Sequence, residues 1–173
     1  MATPAPREAY DNDQEYLKDF WITTEFGVDD ADDYDVFLNF FSEGYCPQTK
    51  EEKEHYKALP DIGIKVYRGY EFTSGSPYRM SWTPNKREAE FFAQRTAIYE
   101  ECFRRNGDSN RTKEIMPMLA SMTIGKGNID AVLLQREVEY IICHADAIWY
   151  DEYEEFEIKI EERSDLLPTK EGT

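Results

Sequence analysis

Three places in the second half of the chain put reactive or ligand-binding side chains inside apolar, strand-like sequence. Arg68 lies in VYRGY, Ser81 and Thr83 lie in MSWT, and Glu137 and Glu139 lie in REVEYII. An arginine offers a planar cationic fork to an anion, hydroxyls orient a ligand by hydrogen bonds, and carboxylates accept protons or stabilise a developing positive charge. Together these residue types can bind an anionic substrate and stabilise a cationic transition state.

Arg68 stands between Tyr67 and Gly69 in sequence that is typical of a buried strand. Burying a guanidinium is costly unless an anion or a carboxylate satisfies it, and a following glycine lets a ligand approach the backbone. Two interpretations stand on an equal footing: a structural ion pair with one of the many carboxylates, or a ligand-binding arginine.

The hydroxyls and the carboxylates share one spacing. Residues two apart on a strand point to the same face, so we expect Ser81 and Thr83 to share a face and Trp82 to point to the other. Such a hydroxyl pair more often hydrogen-bonds a neighbouring strand than a ligand. Glu137 and Glu139 would repel each other, which we expect to raise the pKa of one of them.

The composition describes an acidic protein with enough apolar surface for a core. The chain has 173 residues, 36 acidic and 20 basic side chains, a formal net charge of -16, and 40% hydrophobic and 14% aromatic residues. A chain of this length usually buries one core. Phosphate backbones repel a strongly negative protein, so we expect no nucleic-acid partner and favour a basic partner or a ligand site without excess acid.

Further classes of function are disfavoured. No apolar run approaches the roughly 20 residues that span a bilayer, and the first residues lack the features of a signal peptide, so we expect a cytoplasmic protein with no membrane partner. Cys46, Cys102 and Cys143 are an odd number at wide spacing, which favours reduced thiols. His55 and His144 supply no ligand cluster, so we expect no metal site.

Charge divides the chain into segments. Residues 1–61 carry 5 basic and 16 acidic side chains, residues 62–143 carry 12 and 10, and residues 144–173 carry 3 and 10, for net charges of -11, +2 and -7. The middle segment is therefore where we expect an anionic ligand, although solvated acidic ends alone would give this pattern. We predict an acidic helical region at 1–61, a β-rich core at 62–163 and a flexible tail at 164–173, within a single globular unit.

Periodicity places the functional residues on an α+β framework, with helices first and a mixed or antiparallel sheet afterwards. Aromatic residues at three- and four-residue spacing predict helices around 16–21 and 36–41, and we interpret their stripes as core without chemistry. TKEEKEHYKAL predicts a third helix, and KREAEFFAQRTAIYEECFRR a fourth, opened by Pro84 and Asn85. Strands are predicted in IKVYRGY, RMSWT, MLASMTIG, NIDAVLL, EVEYIIC, AIWY and EEFEIKI.

Taken in chain order, the motifs resemble the ADP-ribosyltransferases of the R-S-E type. In that family an arginine on the first sheet strand, a Ser-Thr-Ser-like strand and an E-x-E or Q-x-E triplet line one NAD-binding cleft. YRG followed by SWT and AEFFAQR is similar to small phage- or bacterium-encoded proteins of this fold. The resemblance covers roughly residues 62–143. The matching residues are Arg68, Ser81-Trp82-Thr83 and Glu137-Val138-Glu139.

The resemblance implies an NAD-dependent mono-ADP-ribosyltransferase, with NAD as substrate and a basic or arginine-bearing protein as acceptor, acting as a phage or bacterial effector. Glu139 would bond the ribose and stabilise the oxocarbenium-like state, and Glu137 would orient or deprotonate an arginine acceptor. Arg68, beside Gly69, would hold the dinucleotide.

The remaining family roles fall on the second strand and on aromatic residues. By the same resemblance, Ser81 would position Glu139 and the nicotinamide ribose, with Thr83 beside it in the cleft. Tyr67, Tyr78 or Trp82 could stack on a ring of the substrate.

Three alternatives stay open at the level of sequence. Water in place of a protein acceptor would make the chain an NAD glycohydrolase. A charge of -16 also suits a non-enzymatic inhibitor that mimics the charge of DNA and occupies a basic groove. A degenerate transferase fold would bind the nucleotide without turning it over.

Overall fold

A computed structural model of the protein confirms the α+β class, with the helices mostly preceding the strands. It describes residues 12–23, 31–72, 75–77, 79–105, 115–135, 137–143 and 157–167. The α-helices are α1 (Asp13–Thr23), α2 (Ala31–Ser42), α3 (Lys50–Ala58) and α4 (Lys86–Arg105). The strands are β1 (Ile64–Glu71), β2 (Ser81–Trp82), β3 (Pro117–Ile124), β4 (Ala131–Leu133), β5 (Glu139–Ile141) and β6 (Lys159–Glu162).

The strands form two antiparallel sheets, one in the order β1-β3-β6 and the other in the order β2-β5-β4. A bridge between Tyr67 of β1 and Thr83, next to β2, joins them through two backbone hydrogen bonds of 2.8 and 2.9 Å. This bridge brings the arginine of β1 beside the serine of β2.

Two clusters of buried side chains hold the molecule together. The first, the inter-sheet core, draws on both sheets and contains Ile64, Val66, Tyr70, Trp82, Met118, Ala120, Met122, Ile124, Ile129, Val132, Tyr140 and Ile142. The second, the helical core, joins α2 to the second sheet and contains Phe37, Phe40, Phe41, Cys46, Met80, Ala131, Leu133, Ile141 and Cys143. Side chains of α1 pack against the helical core, so the acidic N-terminal region is attached to the sheet that carries Glu139.

A buried ion pair fixes α1 to α3. Lys18 Nζ lies 2.6 Å from Glu52 Oε2 and donates to the carbonyl of Pro47 at 2.6 Å. Glu52 also closes the capping box at the start of α3, where its side chain accepts from the backbone N–H of Thr49 and its own N–H bonds the threonine hydroxyl. Removing either charge would leave the other buried without its partner, so this contact sets the position of α1.

Helix α4 packs directly on β1. Ala89, Ala93 and Ala97 lie on one face of the helix and are fully buried. Asn85 Oδ1 accepts from the N–H of Arg87 at 3.1 Å and so caps the first turn of the helix.

The predicted end of the chain is confirmed in part. The strand expected in EEFEIKI overlaps β6 only in its last two residues, and β6 pairs with β3. The strand expected in AIWY lies outside the described residues. Ser164–Leu166, assigned to a tail by sequence, form a 3-10 turn, and Gln94 Nε2 of α4 donates to the carbonyl of Leu166 at 2.8 Å. None of the helices in the described part of the chain has the length and apolarity that a membrane span requires.

Candidate active site

The fold brings Arg68, Ser81 and Glu139 together. Antiparallel pairing sets Ser81 opposite Ile141, so Glu139, two residues earlier on β5, lies on the same face of the sheet. The Ser81 hydroxyl hydrogen-bonds the Glu139 carboxylate, and Arg68 Nη1 donates to the Ser81 carbonyl at 2.9 Å. The three motifs of the sequence analysis thus meet in one place, from three different strands.

Arg68 uses its planar fork on two backbone carbonyls. Its Nε donates to Ser76 O at 2.9 Å and its Nη1 to Ser81 O at 2.9 Å, so the side chain links the turn before β2 to the beginning of that strand. Its charge also attracts Glu139. Arg68 thus has a structural part, with two backbone carbonyls as partners and Glu139 within range of its charge.

Glu139 is a carboxylate held in place by neutral donors. Burial raises its pKa above the ordinary value, and the Ser81 hydroxyl, the Trp21 indole and the positive charge of Arg68 each oppose that rise. The indole Nε1 of Trp21 donates to Glu139 Oε1 at 3.2 Å. Two donors from two different elements thus fix the orientation of one carboxylate.

Glu137 lies in a bend just before β5 and not within the strand, as the sequence suggested. Its pKa is raised to about 7, first by burial, then by the charges of Glu139 and Glu88 and by a hydrogen bond to Glu88, while the charge of Arg95 lowers it. The expectation that one carboxyl of the pair has a raised pKa is confirmed, although desolvation contributes more than repulsion. Glu137 can therefore change protonation near neutral pH.

Thr83 and Gly69 shape the framework around the site. Thr83 is buried, and its hydroxyl accepts from the N–H of Asn85 at 3.1 Å, in the turn that leads into α4. A Cβ on Gly69 would stand 1.7 Å from the carbonyl oxygen of Ala89. The backbone of α4 therefore fills the space next to Gly69. This close packing of the helix requires a glycine here, whereas the sequence had suggested the close approach of a ligand.

The three aromatic candidates for ring stacking differ in what the structure says of them. Trp82 is 1% exposed, belongs to the inter-sheet core and donates from Nε1 to Arg79 O at 2.8 Å, so its proposed stacking on a ligand is wrong. Tyr67 is partly exposed and has Lys65 Nζ 5.5 Å from its ring centroid; strand alternation puts it on the face of β1 opposite Arg68. Tyr78 lies outside the described residues.

Trp21 and Glu88 are residues beside the site that sequence reasoning missed, whereas Arg95, whose charge acts on Glu137, had been weighed as a source of positive field at the site against a place on a solvated helix face. Trp21 was interpreted as core, and its ring centroid does lie 5.2 and 5.1 Å from those of Phe37 and Phe41. Its hydrogen bond to Glu139, however, spans 118 positions of sequence. Helical periodicity and local spacing cannot predict a contact between residues so far apart in the sequence.

Within the part of the chain that the structure describes, we find no second centre among the other titratable groups. Burial raises the pKa of the Cys46 thiol to about 11, so it is a poor nucleophile at neutral pH. Among the described residues, no group of three or more histidine, cysteine or acidic side chains is placed to hold a metal ion.

No family model, curated protein or solved structure matches this chain. Function is therefore argued from the site itself, from its residues, geometry and electrostatics.

Proposed function

We propose that the chain is an NAD-dependent mono-ADP-ribosyltransferase that modifies a protein, with arginine as the favoured acceptor. The observation that carries the proposal is the contact of Arg68, Ser81 and Glu139 at the meeting point of β1, β2 and β5. These three residue types, in this chain order, are the ones on which the family resemblance rests.

Glu139 is the group that we assign to the chemical step. Breaking the bond between nicotinamide and ribose C1′ sends the bonding electrons to the nicotinamide nitrogen and leaves an oxocarbenium-like ribose. A carboxylate beside the ribose stabilises that positive charge more than it stabilises bound NAD. Burial raises the pKa of Glu139, and the donors Ser81 and Trp21 and the positive charge of Arg68 oppose that rise, so these three residues act toward the ionised form that this role needs.

Glu137 is assigned to the acceptor. A nucleophilic nitrogen of the acceptor forms the new bond to C1′ and loses a proton, so the products are nicotinamide, the ADP-ribosylated side chain and one proton. A carboxylate with a pKa of about 7 can take that proton near neutral pH. It can also orient a guanidinium through two hydrogen bonds.

The distribution of charge suits both substrates. NAD carries phosphates, and residues 62–143 are the segment with a net charge of +2. The flanking segments, at -11 and -7, attract a basic protein and speed its encounter with the site. An effector encoded by a phage or a bacterium and acting in the cytoplasm fits this combination.

The test follows NAD labelled in its ADP-ribose part in a cell lysate, with the unmodified protein and the variant Glu139→Ala side by side. Label on a lysate protein only with the intact glutamate, together with nicotinamide release, is the expected result. Release without labelling would reassign the chain to the NAD glycohydrolases. No release and no NAD binding would refute the enzymatic proposal, and circular dichroism checks that the variant is folded.

A non-enzymatic acidic inhibitor is the second candidate, favoured by the net charge of -16. Such a protein would bind a basic groove by charge, and its affinity would fall steeply as salt is added. A partner captured with that salt dependence, and no nicotinamide release in its presence, would favour the inhibitor. Affinity for NAD without release would instead indicate a transferase fold that binds nucleotide and does not turn it over.

A further inference from the structure

The N-terminal helix α1 touches the residue to which the chemical step is assigned. Trp21, near the end of α1, donates its indole N–H to Glu139 Oε1 at 3.2 Å. We propose that Trp21 is a positioning residue for Glu139, so that the acidic helical region forms part of the active site. This inference rests on the proposed function, because it assigns Trp21 a part in the same reaction.

The position of the indole is determined by its own packing and by an ion pair that fixes the helix that carries it. Its ring contacts Phe37 and Phe41 of the helical core, and Lys18, one turn earlier on α1, is paired with Glu52 of α3. A side chain held in this way loses little further freedom when it bonds Glu139, so the bond is preorganised.

A neutral donor suits this place better than a cation. A lysine or an arginine at the position of Trp21 would place a positive charge close to the positive charge that develops on the ribose, and the two charges would repel each other. The indole N–H has a single proton to give and restricts the rotation of the carboxylate without adding charge. The serine hydroxyl supplies the second donor, and a carboxylate with about four acceptor positions retains capacity for a ribose hydroxyl.

The experiment measures nicotinamide release by the unmodified protein and by Trp21→Phe, which keeps an aromatic ring and removes the N–H. We expect kcat to fall about tenfold, since a hydrogen bond to a charged group is lost, while KM for NAD changes less than about twofold because the ring remains in place. Phe20→Leu is the matched control: it removes an aromatic ring of the same helix that stacks on Phe37, and it should leave kcat unchanged.

A second variant covers the case in which Trp21→Phe does not fold. Replacement of Trp21 by benzothienylalanine exchanges the N–H for sulfur in a ring of nearly the same shape, and should lower kcat by a similar factor. A kcat equal to that of the unmodified protein in the folded variants would overturn the proposal. A kcat that rises would overturn it too, since the indole would then cover the site.

An NMR titration of carbon-13-labelled glutamate separates failure of this inference from failure of the proposed function. Loss of the indole donor should raise the pKa of Glu139 in both Trp21 variants and leave it unchanged in Phe20→Leu. No such rise would refute the contact. A rise with no nicotinamide release by the unmodified protein would establish the contact but refute its catalytic meaning, along with the proposed function.

Discussion

Two helices meet strands in this molecule in opposite ways. On one side, α4 lies so close to β1 that the place of a Gly69 side chain is taken by the carbonyl of Ala89, and three alanines of α4 are fully buried. On the other side, α1 reaches the start of β5 through a hydrogen bond from Trp21 to a carboxylate. The first contact is close-packed backbone, and the second is a polar contact at the edge of a core.

These two contacts indicate which part of the fold is the better candidate for the catalytic site. Close packing of α4 on β1 contributes to stability and leaves no space for a ligand. The strand edge that α1 reaches holds Glu139, a carboxyl group whose pKa burial has raised, and such a burial lowers stability at neutral pH. Proteins keep such unfavourable placements mainly at functional sites, so the edge is the better candidate for catalysis.

The largest effect is expected at the α4–β1 contact. Gly69→Ala forces a methyl group against the backbone carbonyl of Ala89, 1.7 Å from its oxygen, and backbone cannot move aside cheaply. We expect the free energy of unfolding to fall by about 3 kcal/mol or more, measured by urea denaturation. In the control Gly127→Ala the new methyl group has no atom within 4 Å, and a change within about 0.5 kcal/mol is expected. Equal effects in the two variants would show that α4 does not pack as described.

A smaller effect is expected where Arg68 links the turn to β2. Arg68→Lys keeps the charge but cannot bond Ser76 O and Ser81 O with one planar fork. We expect a loss of about 1–2 kcal/mol in the free energy of unfolding and a rise in KM for NAD. Arg87→Lys, at an exposed position of α4, is the control and should change neither quantity. Unchanged stability in Arg68→Lys would mean that other contacts hold the turn.

The smallest effect concerns Glu137 and depends on pH. Its pKa is raised from 4.5 to about 7, so the folded state binds this proton more tightly than the unfolded state. The stability of the unmodified protein should therefore fall as pH rises from 4.5 to about 7. The repelling groups are Glu139 and Glu88, and the charge of Arg95 partly offsets them.

The variant Glu137→Gln should match the unmodified protein in stability at the acid end of that range. Above pH 7 it should be more stable by on the order of 1 kcal/mol, since partial exposure to water weakens the effect. Thermal unfolding of both proteins across the range measures the difference. A gap that does not change with pH would contradict the raised pKa.

The regular elements and the three motifs could be predicted from sequence because each depends on local spacing. The aromatic spacing in α1 and α2, the strand-like sequence of β1 and the opening of α4 at Pro84 and Asn85 are short-range patterns, and the approximate positions of these elements follow from them. Strands were predicted at β3 and at β6, but their pairing was not, since pairing over some 40 positions leaves no local mark.

The parts that escaped prediction depend on which elements meet. Trp82 was expected to point away from Ser81, and it does lie in the inter-sheet core. A side chain that points away from Ser81 cannot also stack on a ligand beside Ser81, so the two expectations for Trp82 were incompatible. Trp21 reaches Glu139 only because α1 packs beside the second sheet, and Glu88 approaches Glu137 only because α4 begins nearby. Tertiary packing, and not residue type, decides these contacts.

The measurement that tests the central claim most directly is the rate of nicotinamide release at saturating NAD, compared between the unmodified protein and Glu139→Gln. We expect the rate to fall by about 100-fold or more. The variant should stay folded, because removing a carboxyl with a raised pKa relieves an unfavourable burial. Release within about twofold of the unmodified rate by a folded variant would contradict the assignment of the chemical step to Glu139.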